Sequence, residues 1–205
     1  MFLRVSAVLS ALRVGPGAVS AAVLSALLLM ATPALTRADD AVPSDCRAGA
    51  ALADVSFMVD IPVREGGREG TSSRAYIDFG DAKQNLAHLR DGDEVVLPCH
   101  AIIVVADYPL KSEFEFPLTA DRPEGFTRAG IASMIVALYQ RIYAEEEQTS
   151  TTPVVPIEKR QGLINRNRTA GKYGIWGHDL GDLALTTISP ERRGAVVYVR
   201  LGIDS

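Results

Sequence analysis

The chain of 205 residues has little of what metal and redox centres are built from: two cysteines (Cys46 and Cys99), three histidines and one tryptophan, Trp176. Two cysteines 53 positions apart cannot make a zinc ribbon or a four-cysteine iron–sulfur site, which draw their thiolates from closely spaced pairs. The named catalytic signatures are missing too. There is no G-x-S-x-G elbow, no H-E-x-x-H helix, no G-x-G-x-x-G loop and no serine three residues before a lysine. Gly171-Lys172 lacks the earlier glycine of a phosphate loop and is followed by Tyr173 where that loop needs Ser or Thr. These absences remove the common routes to catalysis without excluding an enzyme. They leave no cofactor and no metal to be expected.

Acidic residues are missing from residues 1–38. Arg4 and Arg13 precede an apolar block of Ala, Val, Leu, Met and small Ser over residues 18–31, which Pro33 and Thr36 then break. Small residues follow, and Asp39 and Asp40 open the next stretch. Positive start, apolar run and small-residue exit make a secretory signal, cut after Ala34 or Ala38. An uncleaved anchor would need about 20 apolar residues, and this run is shorter and closed by proline. A transit peptide would lack so concentrated an apolar block. Cys46 has none of the preceding residues of a lipoprotein signal. The expected organisation is a cleaved leader over residues 1–38, a loose lead-in over 39–47 and one globular domain over 48–205. A secreted or periplasmic location follows, with no stable membrane span after cleavage.

Removing the leader takes away Arg4, Arg13 and Arg37, so the net charge moves from −4 to about −7, eighteen basic residues facing twenty-five acidic ones. Such a domain is a poor binder of nucleic acid, whose affinity rests on neutralising phosphates. About 167 residues remain, enough to bury roughly 70% of the unfolded surface. In an oxidising compartment Cys46 and Cys99 read first as a disulfide, the alternative being two free thiols.

The patterning predicts an α+β fold, with one long amphipathic helix on a largely antiparallel sheet and a C-terminal β-hairpin. Residues 55–63 are strand-like, 64–74 a Gly-rich charged loop, 75–79 a short strand and 82–90 a short helix. Residues 94–107 form the most apolar stretch after the leader, a buried strand with an edge position or bulge at Pro98. Residues 111–118 alternate, with Phe114, Phe116 and Leu118 on one side and Glu113 and Glu115 on the other. Thr127 is placed to cap the long helix, whose apolar stripe runs through Ile131, Met134, Ile135, Leu138, Ile142 and Tyr143. Its far end carries Glu145, Glu146 and Glu147, where the helix dipole favours positive charge. Residues 148–156 read as a Thr/Pro linker. Strand runs at 183–188 and 195–201 make the closing hairpin.

Residues 165–182, NRNRTAGKYGIWGHDLGD, differ in character: they gather the tryptophan, one histidine, two arginines, a lysine and four glycines. Glycines at this density let a backbone turn tightly or approach a ligand. Arg166, Arg168, Lys172 and Trp176 are the candidate ligand-binding residues. His178 could donate or accept a proton, and Asp179 or Asp182 could orient it for acid–base work. The plainer alternative wedges the tryptophan into the core and uses the carboxylates as caps. The basic run from Lys159 through Arg160 to Lys172 allows either an anion site or internal neutralisation of Glu145–Glu147. Asn167-Arg168-Thr169 is a glycosylation sequon. His88 reads as a surface residue and His100 as a satisfied strand histidine.

These features support an exported binding or interaction module that uses residues 165–182 toward a small anion or a protein partner. A small exported hydrolase built on His178 with Asp179 or Asp182, and a structural envelope protein, are the alternatives.

Overall fold

A computed structural model describes residues 43–47, 49–162 and 165–205. The expected leader and residues 39–42 lie outside the described residues. The order is β1 (Val55–Ser56), β2 (Val59–Glu65), β3 (Arg68–Arg74), β4 (Ile77–Asp78), α1 (Ala82–Ala87), β5 (Val95–Leu97), β6 (Ala101–Ala106), β7 (Phe114–Thr119), β8 (Phe126–Thr127), α2 (Arg128–Thr149), β9 (Ala184–Arg193) and β10 (Val196–Asp204). The main sheet runs β1-β9-β10-β6-β7, with β4 also on β9. Every pairing in it is antiparallel except β10 with β6. The fold is α+β, with one long helix and a C-terminal hairpin inside the same sheet, as the patterning predicts.

The uninterrupted apolar run of β6 has a simple cause. Side chains alternate across a strand. Ile102, Val104 and Ala106 join the main core with Phe116, Val197, Val199 and the α2 stripe. Ile103 and Val105 meet Tyr198 on the opposite face in a small second cluster. Both faces of the strand are thus covered, which removes the polar alternation seen in β7.

Helix α2 begins where Thr127 Oγ1 accepts the Gly130 N–H at 3.0 Å. Ile131, Ile135, Leu138, Ile142 and Tyr143 are buried along one side, while Ser133, Gln140 and Arg141 are exposed. Tyr139 extends this face, meeting Phe79 edge-on and donating to Tyr108 O at 2.8 Å. No helix among the described residues is long and apolar enough to cross a membrane.

Three local readings change. The charged stretch 64–74 is not a loop but half of a hairpin, with β2 and β3 paired from Val59↔Arg74 to Glu65↔Arg68. Gly66 and Gly67 both take positive φ, +55° and +82°, the two left-handed positions that a two-residue hairpin turn demands. β3 reads as loop because it is exposed along almost its whole length, so burial leaves no alternation in its sequence. The apolar run 94–107 is split at Pro98 into β5, which pairs with β8, and β6 in the main sheet. His100 consequently sits in the connection, exposed, rather than in a strand.

Cys46 and Cys99 form a disulfide with S–S 2.09 Å. Around it Ser44 is fully buried: its N–H reaches Ala195 O at 2.9 Å and its Oγ accepts the Val197 N–H at 2.7 Å. The described part of the lead-in, residues 43–47, is therefore tied to β10 and to the β5–β6 connection.

Candidate functional site

The three glutamates that end α2 organise the loop that follows. Glu146 is fully buried. Its Oε1 accepts the Gly171 N–H at 2.8 Å, and its Oε2 accepts those of Tyr173 at 2.7 Å and Gly174 at 3.0 Å. Burial pushes this carboxyl up, but the bonds from Thr169 and from the Tyr173, Gly171 and Gly174 amides outweigh it and hold the group below the usual range. Glu145 receives Lys172 Nζ and the Tyr173 hydroxyl, both at 2.7 Å, which also lower its pKa. The helix end that offends the dipole rule is thus an acceptor surface for residues 171–174.

Two glycines make this approach possible. A Cβ at Gly171 would lie 2.6 Å from Glu146 Oε2 and 2.7 Å from the Glu146 carbonyl oxygen. Gly174 has φ +63°, and a Cβ there would lie 2.9 Å from the Lys111 side chain. With the backbone so held, Tyr173 and Ile175 enter the core, and Tyr173 meets Phe114 edge-on at 4.9 Å. The aromatic wedge is Tyr173. Trp176 instead stays 40% exposed, edge-on to Tyr108 at 5.4 Å, with Nε1 donating to Leu110 O at 3.3 Å.

The other predicted residues separate into distinct settings. Arg166 is buried; its backbone exchanges hydrogen bonds with Gly177 and its guanidinium lies over the Tyr143 ring at 5.1 Å. Asp179 accepts from Arg160 Nη1 at 2.6 Å and Nη2 at 3.0 Å, and from Arg166 Nη1 at 3.4 Å. The Arg160 bond is the main cause holding the Asp179 carboxyl below its ordinary range. Asp182 Oδ2 accepts the Asp179 N–H at 2.8 Å and caps the single 3₁₀ turn Leu180–Asp182. His178 is half-buried, and its Nε2 lies 3.4 Å from Ser205 Oγ, which in turn bonds the Tyr108 hydroxyl at 2.9 Å. Among the described residues the imidazole meets neither Asp179 nor Asp182, whose oxygens serve the arginines and the turn. No group of three or more His, Cys, Asp or Glu side chains among the described residues is placed to hold a metal ion.

Asn167 is also engaged. Its Oδ1 accepts the Val155 N–H at 2.8 Å and its Nδ2 donates to Pro153 O at 3.2 Å, while Thr169 of the sequon is buried. Arg168 differs from all of these: it is exposed, and its guanidinium takes part in no ion pair or hydrogen bond among the described residues. It lines an open cleft of about 480 Å³ with Lys111, Thr152, Thr169, Gly171 and Gly174. Lys111 spends one proton on Gly171 O at 3.2 Å. The described residues lining this cleft include two cations and no carboxylate.

Sequence reasoning set Glu145–Glu147 against the basic run but did not foresee the backbone amides that Glu146 takes, and it missed Lys111. The acid triplet at a helix C-terminus was the signal for the first. Nothing in the alternating stretch 111–118 marked the second, because its partner surface lies some sixty positions away.

Compared with protein-family models, curated proteins and solved structures, the chain matches none.

Proposed function

We propose that this is an exported binding module that takes a small oxyanion, a phosphate or carboxylate group, in the cleft of Lys111 and Arg168. One observation carries the reading: two cationic side chains line one open cleft with no carboxylate among its described lining residues, while Arg166 and Lys172 of the same segment pair with Asp179 and Glu145. A guanidinium and an ammonium together supply charge-assisted bonds, and Thr152 adds a hydroxyl at the rim. The rigid Glu146 anchor holds the loop backbone in place before the ligand arrives, which limits the ordering cost of binding. The leader-like residues 1–38 and the disulfide support work in an oxidising compartment outside the cytoplasm.

Binding is preferred to acid–base chemistry because Asp179 and Asp182 are committed to Arg160, Arg166 and the turn amide, leaving His178 without an orienting carboxylate among the described residues. Isothermal titration of residues 39–205 with inorganic phosphate and with citrate tests the proposal. Saturable binding is expected, and Arg168→Ala and Lys111→Ala should each weaken it about tenfold, the worth of one charge-assisted hydrogen bond. Silence with both anions, or unchanged affinity in both variants, overturns the reading and leaves a protein partner as the next candidate.

A further inference from the structure

We propose that the outer edge of β3 docks an extended peptide strand of another protein, one with an acidic residue at each end. β2 and β3 form a hairpin outside the main sheet, and among the described residues β3 pairs with no strand but β2. In an antiparallel pair, successive residues turn their backbone groups alternately toward the partner strand and away from it. Asp60 fixes which is which, because its N–H points away from β3, to His88 O at 3.0 Å. Asp60 stands opposite Ser73, Pro62 opposite Thr71 and Arg64 opposite Glu69. Ser73, Thr71 and Glu69 therefore turn their N–H and C=O groups outward along the free edge. None of these groups has a hydrogen-bond partner among the described residues.

The two edges of the hairpin differ. The β2 edge is closed to a further strand, since the Asp60 N–H is taken and Pro62 has none to give. The β3 edge carries no proline and is exposed from Arg68 to Ser73. Uncovered edges of this kind are templates for strand addition. This one is also held ready. Val59 bridges Leu89, and the Asp60 carboxylate takes Ser73 Oγ at 2.6 Å and Arg90 Nη2 at 2.8 Å. The base of the hairpin is thus fixed before a ligand arrives. An open hollow of about 610 Å³ lies against its middle, lined by Pro62, Val63, Arg64, Glu69, Gly70 and Thr71.

Charge and size select the occupant. Arg68 and Arg74 lie on one face of β3, at its two ends, six positions or about 20 Å apart. Arg74 lies over the Tyr76 ring at 6.0 Å, and neither arginine has an ion pair among the described residues. Glu69, the acid of β3, is on the opposite face, 3.5 Å from Arg64. A second copy does not fit. The two-fold register that pairs all three outward residues sets Arg68 of each copy against Arg74 of the other, and like charges directly opposite are destabilising. A foreign strand as long as β3, with an acid at each end, meets both arginines. Between them, a Cβ on Gly70 would meet nothing closer than Val63 Cγ2 at 3.7 Å. A valine opposite Gly70 can therefore lie across the glycine onto Val63. None of the outward residues lines the cleft of Lys111 and Arg168, so this surface does not depend on that cleft.

The probe is the peptide acetyl-Glu-Thr-Thr-Thr-Val-Thr-Glu-amide, titrated into the protein and followed by NMR. Saturable shifts are expected at the Glu69, Thr71 and Ser73 amides, and their hydrogen exchange should slow once peptide is bound. Lysine at both peptide ends should weaken binding about tenfold, two attractive pairs having become repulsive. Arg68→Glu should narrow or reverse that preference. Proline in the peptide opposite Thr71 should abolish binding, because it removes a donor on the shared edge. Thr71→Pro should do the same from the protein side, since the N–H it removes points away from β2; unchanged amide shifts in the main sheet check that this variant folds. Arg168→Ala should bind the peptide as the parent does. No shift along β3 at millimolar peptide, shifts confined to Lys111 and Arg168, or equal binding of the acidic and basic peptides overturns this surface. So does slow exchange at the three amides that appears with protein concentration alone, which would give the edge to a second copy.

Discussion

Glu146 is the residue on which the candidate site turns. One buried carboxylate takes three backbone N–H groups, so its two oxygens replace the water that residues 171–174 would otherwise need. Glu146→Gln keeps one oxygen and sets an NH₂ donor against the remaining N–H groups. The expected loss is about 2–3 kcal/mol, the cost of leaving a buried partner unsatisfied. Urea denaturation measures it. The pKa direction adds a pH signature. Glu146 is held below its ordinary 4.5 in the folded state, so its contribution is fully present above the unfolded value and is lost as pH falls through the lower, folded one. Asp179 acts in the same direction. The parent's stability should therefore drop below about pH 4.5, and the drop should be shallower in Glu146→Gln. An identical acid limb in both proteins would show that Glu146 is not the titrating anchor.

At the scale of elements, α2 links the core to the site. Its stripe packs on the sheet, its N-terminus is closed by Thr127, and its last turns receive the loop. Thr127→Ala removes the bond to the Gly130 amide and should cost about 1 kcal/mol, read as a lower urea midpoint with an unchanged slope. Both the helix and its cap were legible in the sequence, because a 3.6-residue period and a hydroxyl before it are local signals. The β2–β3 hairpin was not. Its register depends on Gly66 and Gly67 and on pairing across the turn, while its exposed surface gives no apolar alternation to read. The break at Pro98 was only half legible: proline marks an interruption, but which sheet each side joins depends on β8 and β10, far along the chain.

For the molecule as a whole, the disulfide fastens residues 43–47 to the β5–β6 connection, and Ser44 carries the same segment onto β10. The bridge closes a loop with a sequence separation of 53. Replacing both cysteines by serine should destabilise the domain by about 4 kcal/mol in the chain-entropy treatment. Calorimetry of the reduced parent and of the double variant checks this, and equal melting temperatures for the oxidised parent and the variant would contradict it. The site itself draws on three distant regions: Lys111 before β7, the C-terminal turns of α2, and residues 165–182.

Near neighbours and composition are enough for a first set of features. That covers the α+β class, the capped helix, the closing hairpin and the segment 165–182 as the unusual one; the cysteine pair needed only an even count and an expected oxidising compartment. Tertiary structure decided which members of that segment are free. Arg166 and Lys172 carry the same charge as Arg168, yet one is buried over Tyr143 and one is paired with Glu145, while Arg168 faces an open cleft beside Lys111. Charge is written in the sequence. Whether a charge is spent inside the fold is settled by which partners the chain brings within hydrogen-bond reach.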